Sequence, residues 1–275
     1  MNRSHQTDFN KPVGVFDSGV GGLTVVKQIF RKLPGEQVIY FGDTGRFPYG
    51  IRSAEVIKSF SRQNVNFLLE QKVKIIVVAC NTASAHALDY IKKIFNIPMV
   101  GVIEPGAKAA AGYTKNGRIG VIGTEGTIES SSYTKALLKI NPRLKVFSMA
   151  CPLFVALAEN GYINKEAAYL IAEDYLGFMK QKNIDTLVLG CTHYPPLKNV
   201  IRKVMGKHVR LVDSAEETAR SVKALLADLQ LNSRAKKVKA HKYFVSDTPD
   251  KMKRMSRHFV GRQIKRVIRI DINSY

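Results

Sequence analysis

One of the longest apolar runs of the chain reads Ile75-Ile-Val-Val-Ala-Cys80, which is the length of one buried strand. The polar pair Asn81-Thr82 follows at once, and a stretch with helical spacing then extends to residue 95. A second run of the same build, Leu187-Val-Leu-Gly-Cys-Thr-His193, occurs in the second half of the chain. An apolar strand, a polar turn and a helix form the repeating unit of parallel sheets, so both runs predict an α/β protein.

The alternation of apolar strands and amphipathic helices continues along the whole chain. It predicts mostly parallel sheets that are covered by helices on both faces. Ser53 is a suitable N-cap for the helix that follows it. Strands are predicted over residues 13–16, 37–41, 74–79, 97–103, 118–122, 144–148, 186–190 and 209–212 and near Tyr243 and Val267, and helices over residues 23–33, 54–71, 82–95, 125–140, 153–160, 165–182, 197–205 and 215–229.

The likeness of the two cysteine-containing runs predicts two pseudo-symmetric lobes. Each lobe would be a mostly parallel sheet flanked by helices, and each would offer one thiol to an active site in the cleft between them. Turn residues at predicted strand ends, Glu104-Pro-Gly106 and Asp213-Ser214, mark the lobe boundaries. We therefore expect a first lobe of residues 1–104 plus 214–275 and a second lobe of residues 105–213.

The composition is that of a packed globular protein, with 45% hydrophobic residues in a chain of 275. No apolar run approaches the roughly 18 residues that a membrane span needs. Residues 1–12 are polar and lack the apolar core of a signal peptide. Three cysteines are too few for a disulfide framework and fit a reducing compartment. We expect a cytoplasmic protein with no membrane partner.

The net charge of +21 is concentrated near the carboxyl terminus. Residues 231–275 hold 13 Lys or Arg against 3 Asp. Such a segment can bind nucleic acid or another polyanion, but a run of charged residues more often forms a solvated surface. We predict that four basic residues of a candidate helix belong to such a surface and that removing their charge leaves activity intact: Lys251, Lys253, Arg254 and Arg257.

Cys80 and Cys191 each stand directly after a predicted strand and directly before hydrogen-bonding side chains. Ligands of parallel α/β sheets bind at the carboxyl ends of the strands. A lone cysteine is usually a buried apolar residue, but two in this setting favour reactive thiols. Cys151 precedes Pro152, lacks this setting and is assigned to packing.

Two thiols suit one particular reaction, the inversion of an α-carbon. This reaction removes a proton from one face of the carbon and delivers a proton to the other face. A thiol with its pKa lowered from about 8.5 toward neutrality can act as general base. Asp17 and His193 are candidate partners for the thiol protons, although Asp-Ser-Gly is also a common turn. Ser18, Asn81 and Thr192 can bind carboxylates or cap helices.

Several strings in order resemble those of one family, the glutamate racemases of the aspartate/glutamate racemase superfamily. The resemblance extends from about residue 12 to residue 226, and more weakly through Tyr243-Phe-Val-Ser-Asp-Thr-Pro249. The basic carboxyl-terminal segment departs from the family pattern. The matching strings are Asp17-Ser-Gly-Val-Gly-Gly22, Pro48-Tyr-Gly50, Ala79-Cys-Asn-Thr-Ala83, Gly190-Cys-Thr-His193 and Val212-Asp-Ser214.

The resemblance implies a racemase that uses two thiols and needs no pyridoxal phosphate or other cofactor. Cys80 would act on the D-glutamate side with support from Asp17, and Cys191 on the L-glutamate side with support from His193. Glu159 would be a further acid-base helper. The product D-glutamate would serve peptidoglycan synthesis. The residues that match substrate-contact positions of the family are Asp17, Ser18, Tyr49, Gly50, Asn81, Thr82, Thr192 and His193.

Other functions stay open on the sequence alone. A related racemase would act on aspartate or a hydantoin, and the cysteines cannot separate these substrates. A metal site is disfavoured because close cysteine pairs are missing. A phosphate-binding turn is disfavoured because Thr24 stands where the third glycine of G-x-G-x-x-G belongs.

Possible partners are also open at this level. The basic surface keeps nucleic-acid or gyrase binding as the main non-enzymatic hypothesis, since some glutamate racemases are thought to bind DNA gyrase. The oligomeric state cannot be read from the sequence, and a homodimer is one of its options.

Overall fold

The computed structural model describes residues 8–235 and 237–275, and it has an α/β fold. Residues 1–7 lie outside the described residues. They are the first part of the polar stretch in which no signal peptide is predicted. Within the described residues, one sheet has six strands and the other has four. The strands are β1 (Val13–Asp17), β2 (Val38–Gly42), β3 (Ile75–Val78), β4 (Met99–Gly101), β5 (Arg118–Gly123), β6 (Lys145–Ala150), β7 (Thr186–Gly190), β8 (Arg210–Asp213), β9 (Lys242–Val245) and β10 (Ile268–Arg269).

Helices connect the strands and cover the sheets. The early long helix begins after Ser53, whose hydroxyl accepts a hydrogen bond from the Val56 amide, as its N-cap prediction requires. The helices are α1 (Leu23–Lys32), α2 (Ala54–Glu70), α3 (Asn81–His86), α4 (Leu88–Ile94), α5 (Ile103–Tyr113), α6 (Glu125–Glu129), α7 (Ser132–Ile140), α8 (Leu153–Glu159), α9 (Glu166–Gln181), α10 (Lys198–Met205), α11 (Ser214–Asp228) and α12 (Pro249–Val260).

Both sheets are parallel throughout, which confirms the predicted fold class. The first sheet has the order β10-β9-β2-β1-β3-β4, and the second has the order β6-β5-β7-β8. The carboxyl-terminal strands β9 and β10 therefore extend the first sheet beyond β2. Every residue of β1, β2, β3 and β7 is buried, as expected of parallel strands with helices on both faces.

The region after β4 differs from its sequence prediction. Residues 104–106 were expected to form a turn at a lobe boundary, but they lie in the first turn of α5, which begins at Ile103. Pro105 is tolerated there because the first N–H groups of a helix have no partner within the helix. Glu104 in the same turn favourably faces the positive end of the helix dipole.

Two predicted helices are each interrupted. The helix predicted over residues 82–95 is divided at Ala87 into α3 and α4. The helix predicted over residues 125–140 is divided before Ser132, where Ser131 adopts a left-handed conformation with φ of 55°. Hydrophobic spacing continues across both breaks, so it does not reveal them.

Among the described residues, no helix is both long enough and apolar enough to cross a membrane.

Candidate active site

The turn after β1 brings the two sheets together at their carboxyl ends. A Cβ atom on Gly21 would lie 2.3 Å from Thr192 Oγ1 and 2.5 Å from the imidazole of His193, so only glycine fits. Thr24 Oγ1 donates to the Thr192 carbonyl oxygen at 3.1 Å. The glycines of this turn therefore allow the residues after β7 to pack directly against the end of β1.

Asp17 is fully buried at the end of β1. Its Oδ2 accepts a hydrogen bond from the Gly19 amide at 3.1 Å, and Thr192 Oγ1 donates to its Oδ1 at 3.5 Å. Burial raises the pKa of this carboxyl, and His193 and the backbone amides of the turn offset only part of that rise. A carboxylate with a raised pKa accepts a proton more readily than an ordinary aspartate.

Cys80 is the N-cap of α3, immediately beyond the buried end of the first sheet. Its sulfur accepts from the Ala83 amide at 3.4 Å and lies 3.6 Å from Ser18 Oγ. Burial and the nearby charge of Asp17 raise the pKa of the thiol to about 11, although the bonds from Ala83 and Ser18 oppose this. The resting thiol is therefore protonated at neutral pH.

Cys191 directly follows β7 and is buried at the carboxyl end of the second sheet. Its sulfur lies 4.0 Å from His193 Nδ1. Burial raises the pKa of this thiol, the His193 amide lowers it, and the charges of Cys80 and Asp17 raise it further. The two thiols are thus close enough for the charge of one to affect the other.

The raised thiol pKa values correct one expectation. Neighbouring groups were expected to lower the thiol pKa toward neutrality, but burial and the negative charge of Asp17 raise it. A thiolate at either position therefore requires a nearby base that accepts the thiol proton.

His193 connects Cys191 to a carboxylate. Its Nε2 lies 3.2 Å from Glu159 Oε1, and Glu159 Oε2 lies 2.9 Å from Lys251 Nζ. Burial raises the pKa of Glu159, but the hydrogen bonds from His193 and Lys251 outweigh burial and hold the pKa below its ordinary value. An ionised Glu159 places the imidazole proton on Nε2, so Nδ1 faces Cys191 as an acceptor.

Asn81 provides an unpaired donor beside Cys80. Its Oδ1 accepts a hydrogen bond from the Tyr133 hydroxyl at 2.8 Å, which fixes the orientation of the amide. Its Nδ2 is buried and has no partner among the described residues. A buried amide donor without a partner costs free energy, so this position is suited to a ligand acceptor.

A cluster of hydroxyl groups lies between α3 and the end of β5. Thr82 Oγ1 lies 3.0 Å from Thr124 Oγ1 and 3.3 Å from Thr127 Oγ1. A Cβ atom on Gly50 would lie 2.9 Å from the Thr124 Cβ, so Gly50 packs against the same cluster. Thr82 and Gly50 were both predicted as site residues, and the structure brings them together.

The Tyr49 side chain is buried and its hydroxyl belongs to a polar network. Its hydroxyl donates to the buried Asp43 carboxylate and accepts from Asn64 Nδ2 at 3.1 Å. Arg46 Nε is 2.7 Å from the same Asp43 carboxylate. This network shapes the loop that carries Gly50, so a substrate contact at position 49 would come from the backbone.

Four residues of this region escaped the sequence prediction: Thr124, Thr127, Tyr133 and Lys251. Thr124 follows β5 directly, so the strand-end rule that found Cys80 applies to it as well. Tyr133 and Lys251 carry no local sign of their role. The prediction that Lys251 belongs to a solvated surface holds only in part, because its side chain is 40% exposed while its ammonium group pairs with Glu159.

Cys151 lies in the core, where burial raises the pKa of its thiol. Its sulfur contacts the Met149 carbonyl oxygen at 3.9 Å. Within residues 8–235 and 237–275, no group of three or more His, Cys, Asp or Glu side chains is placed to hold a metal ion.

Residues 13–222 match the family model described as Asp/Glu/Hydantoin racemase. The fold and the paired thiols therefore define an amino-acid racemase of this class, which is an isomerase. The chain is 51% identical over 264 residues to the glutamate racemase of Geobacter metallireducens, and this match covers 96% of the chain and 98% of that protein.

Two solved structures of glutamate racemases share the fold over nearly the whole chain. Isoform RacE1 from Bacillus anthracis has a TM-score of 0.91 at 42% identity, covering 95% of this chain and 97% of that one. The enzyme of Francisella tularensis, solved in complex with D-glutamate, has a TM-score of 0.91 at 38% identity, covering 97% and 100%. The chain belongs to the glutamate racemase family.

Proposed function

We propose that this protein interconverts L-glutamate and D-glutamate with two buried thiols and without a cofactor. The observation that carries the proposal is the convergence of Cys80 and Cys191 from the ends of strands in different sheets. Each thiol lies beside its own polar partners, Ser18 for Cys80 and His193 for Cys191. Asp17 is close enough to influence both thiols.

The proposed reaction toward D-glutamate begins at Cys191. The Cys191 thiol gives its proton to His193 Nδ1, and the thiolate removes the α-proton of L-glutamate. Cys80 then donates its thiol proton to the opposite face of the carbanion. Cys191 ends as a thiol, Cys80 as a thiolate and His193 with the proton it accepted, and the reverse reaction starts from this state. The resting enzyme is restored when His193 releases that proton to solvent and Cys80 takes one up.

Two carboxylates of the substrate need donors, and the site offers several. The unpaired Nδ2 of Asn81 supports binding of one carboxylate. The hydroxyl groups of Thr82, Thr124 and Thr127 offer further donors. We propose glutamate as the substrate, rather than aspartate or a hydantoin, because the chain matches glutamate racemases over nearly its full length.

The test is racemisation of L-glutamate in the absence of pyridoxal phosphate, followed by chiral chromatography. We expect D-glutamate to form until the two enantiomers are equal, with L-aspartate and a hydantoin converted far more slowly. Faster turnover of L-aspartate would assign the protein to a different substrate within the superfamily. Dependence of activity on added pyridoxal phosphate would contradict the two-thiol mechanism.

The wider setting belongs to the same proposal. D-glutamate would serve peptidoglycan synthesis in the cytoplasm, a reducing compartment that fits the three free cysteines. The lobes would be residues 1–104 plus 214–275 and residues 105–213, with the site between them. A homodimer is one option for its oligomeric state, which sedimentation of the purified chain can test.

The basic carboxyl-terminal segment keeps one alternative role. Nucleic-acid or gyrase binding rests on the net charge of +21. DNA affinity that falls steeply with salt concentration would support such a role, and unchanged racemisation in the presence of DNA would separate it from catalysis.

A further inference from the structure

The site contains a chain of contacts that begins outside the matched motifs. Lys251 Nζ lies 2.9 Å from Glu159 Oε2, and Glu159 Oε1 lies 3.2 Å from His193 Nε2. His193 Nδ1 in turn lies 4.0 Å from the sulfur of Cys191. We propose that Lys251 is a positioning residue, which holds Glu159 so that His193 presents Nδ1 to Cys191. This inference rests on the proposed two-thiol reaction.

A cationic partner stabilises Glu159 because of its place in the fold. It is the last residue of α8, where the carbonyl end of the helix carries partial negative charge. A carboxylate is disfavoured there, and partial burial adds a further cost. Lys251 supplies a positive charge at the oxygen that His193 does not use.

The helix that carries Lys251 also contacts the imidazole directly. The ring of Phe259, also on α12, lies 5.3 Å from the His193 ring. Phe47 lies 5.8 Å from His193, and the Lys251 ammonium lies 5.7 Å from the Phe47 ring. α12 therefore forms one wall of the His193 pocket, with Lys251 at its first turn.

The other basic residues of α12 have no such contact. Lys253 Nζ pairs with Asp250 at 2.9 Å, and the Asp250 side chain is 79% exposed. Arg254 and Arg257 are exposed. Lys253 is therefore a matched control, since it has the same charge on the same helix and pairs with a carboxylate outside the site.

The expected effect is confined to one proton transfer. When Cys191 is activated, its S–H proton moves to His193 Nδ1. The other imidazole proton stays on Nε2 and remains hydrogen-bonded to Glu159. Without Lys251, Glu159 is held by one bond, so it fixes the tautomer and orientation of the imidazole less firmly. The Ser18 contact of Cys80 is unaffected, so only the transfer at Cys191 slows.

The first experiment compares Lys251→Met, Lys251→Arg and Lys253→Met. We expect Lys251→Met to lower kcat about tenfold, the size of a charge-assisted hydrogen bond discounted for partial exposure. Lys251→Arg should recover most of the loss, and Lys253→Met should match the unmodified protein. Melting temperatures establish that all three variants fold, and an unchanged kcat in folded Lys251→Met would overturn the proposal.

The second experiment identifies which thiol is affected. Enantiomers have equal free energy, so kcat/KM must remain equal in the two directions, and isotope effects must reveal the slowed step. In Lys251→Met, the α-deuterium effect on kcat/KM should grow for L-glutamate and not for D-glutamate. Growth with both enantiomers, with D-glutamate alone or with neither would overturn the proposal. An unmodified protein that does not racemise glutamate would instead refute the proposed function.

Discussion

At the scale of single residues, the two thiols hold their protons more tightly than free cysteine does. Burial is the largest cause at both Cys80 and Cys191, and the charge of Asp17 adds to it. A buried thiol that is protonated at rest can act as a base only after a neighbouring group accepts its proton. In the proposed reaction His193 does this for Cys191, and Asp17, with its raised pKa, does it for Cys80.

Replacement of either site cysteine should abolish racemisation. Cys80→Ser and Cys191→Ser each remove one of two proton transfers that act in series, and a general base contributes about 10²–10⁴-fold. Chiral chromatography of L-glutamate measures the loss. Cys151→Ser is the matched control, since Cys151 is also buried and its sulfur is bonded to the Met149 carbonyl rather than to a candidate site residue. Near-normal turnover in Cys80→Ser or Cys191→Ser would refute the assignment.

The raised pKa of Cys80 also predicts how stability changes with pH. The unfolded thiol ionises near its ordinary value of 9.0, and the folded thiol near about 11. Between these values the unfolded state loses a proton that the folded state keeps, so stability falls as pH rises. Urea unfolding should show a decline from about pH 8 to about pH 10.5 that is about 2 kcal/mol smaller in Cys80→Ser. An equal decline in both proteins would contradict the raised pKa.

At the scale of elements, the site depends on how closely the turn after β1 approaches the end of β7. The turn touches Thr192 and His193 where Gly21 has no side chain. Thr24, at the start of α1, is bonded to the Thr192 carbonyl. The glycines that resemble a phosphate-binding turn therefore serve contact between two strand ends.

Gly21→Ala should reduce racemisation severely while leaving the fold intact. The added methyl group would lie 2.3 Å from Thr192 Oγ1 and 2.5 Å from the His193 ring, so the turn and the strand end must separate. A displacement of about 1 Å at a catalytic group can lower the rate about 10²-fold. Gly35→Ala is the control, because an added methyl group there meets no atom within 4 Å. Similar activity of the two variants would contradict this role of Gly21.

The ends of the buried strands could be predicted from the sequence, because a run of apolar residues stops there and polar residues follow. The strand over residues 186–190 was predicted with its observed bounds, and this located Cys191. α5 was missed because Pro105 and Gly106 indicate a turn, although proline is tolerated in the first turn of a helix. Lys251 could not be found, because its contact with Glu159, 92 residues away, depends on how α12 packs.

At the scale of the whole molecule, polar contacts between elements of the two sheets converge on the site. Tyr133 of α7 bonds to Asn81 of α3, and Thr124 after β5 bonds to Thr82. Asp17 of β1 accepts a hydrogen bond from Thr192 after β7. The relative position of the sheets and the geometry of the site are therefore coupled, and a substrate between the thiols would contact both sides.

This arrangement predicts where a solvent proton enters the product. Because the thiols act on opposite faces, the group that delivers the new proton is not the group that removed the old one. In D₂O, the first D-glutamate formed should carry deuterium at the α-carbon, while recovered L-glutamate stays almost unlabelled. The reason is that a deuteron on Cys80 reaches only the face opposite to the one that Cys191 deprotonates.

A single base that serves both faces would give the opposite labelling, since its exchanged deuteron could return to the original face. Samples taken early in the reaction and analysed by chiral chromatography with mass spectrometry distinguish the two cases. Cys80→Ser adds a second test: Cys191 can still remove the α-proton of L-glutamate, but no thiol delivers a proton to the other face. That variant should exchange the α-proton of L-glutamate with solvent through the Cys191 thiol, whose own proton exchanges with solvent, and it should form no D-glutamate. Rapid labelling of L-glutamate by the unmodified protein, before D-glutamate accumulates, would contradict the two-thiol reaction.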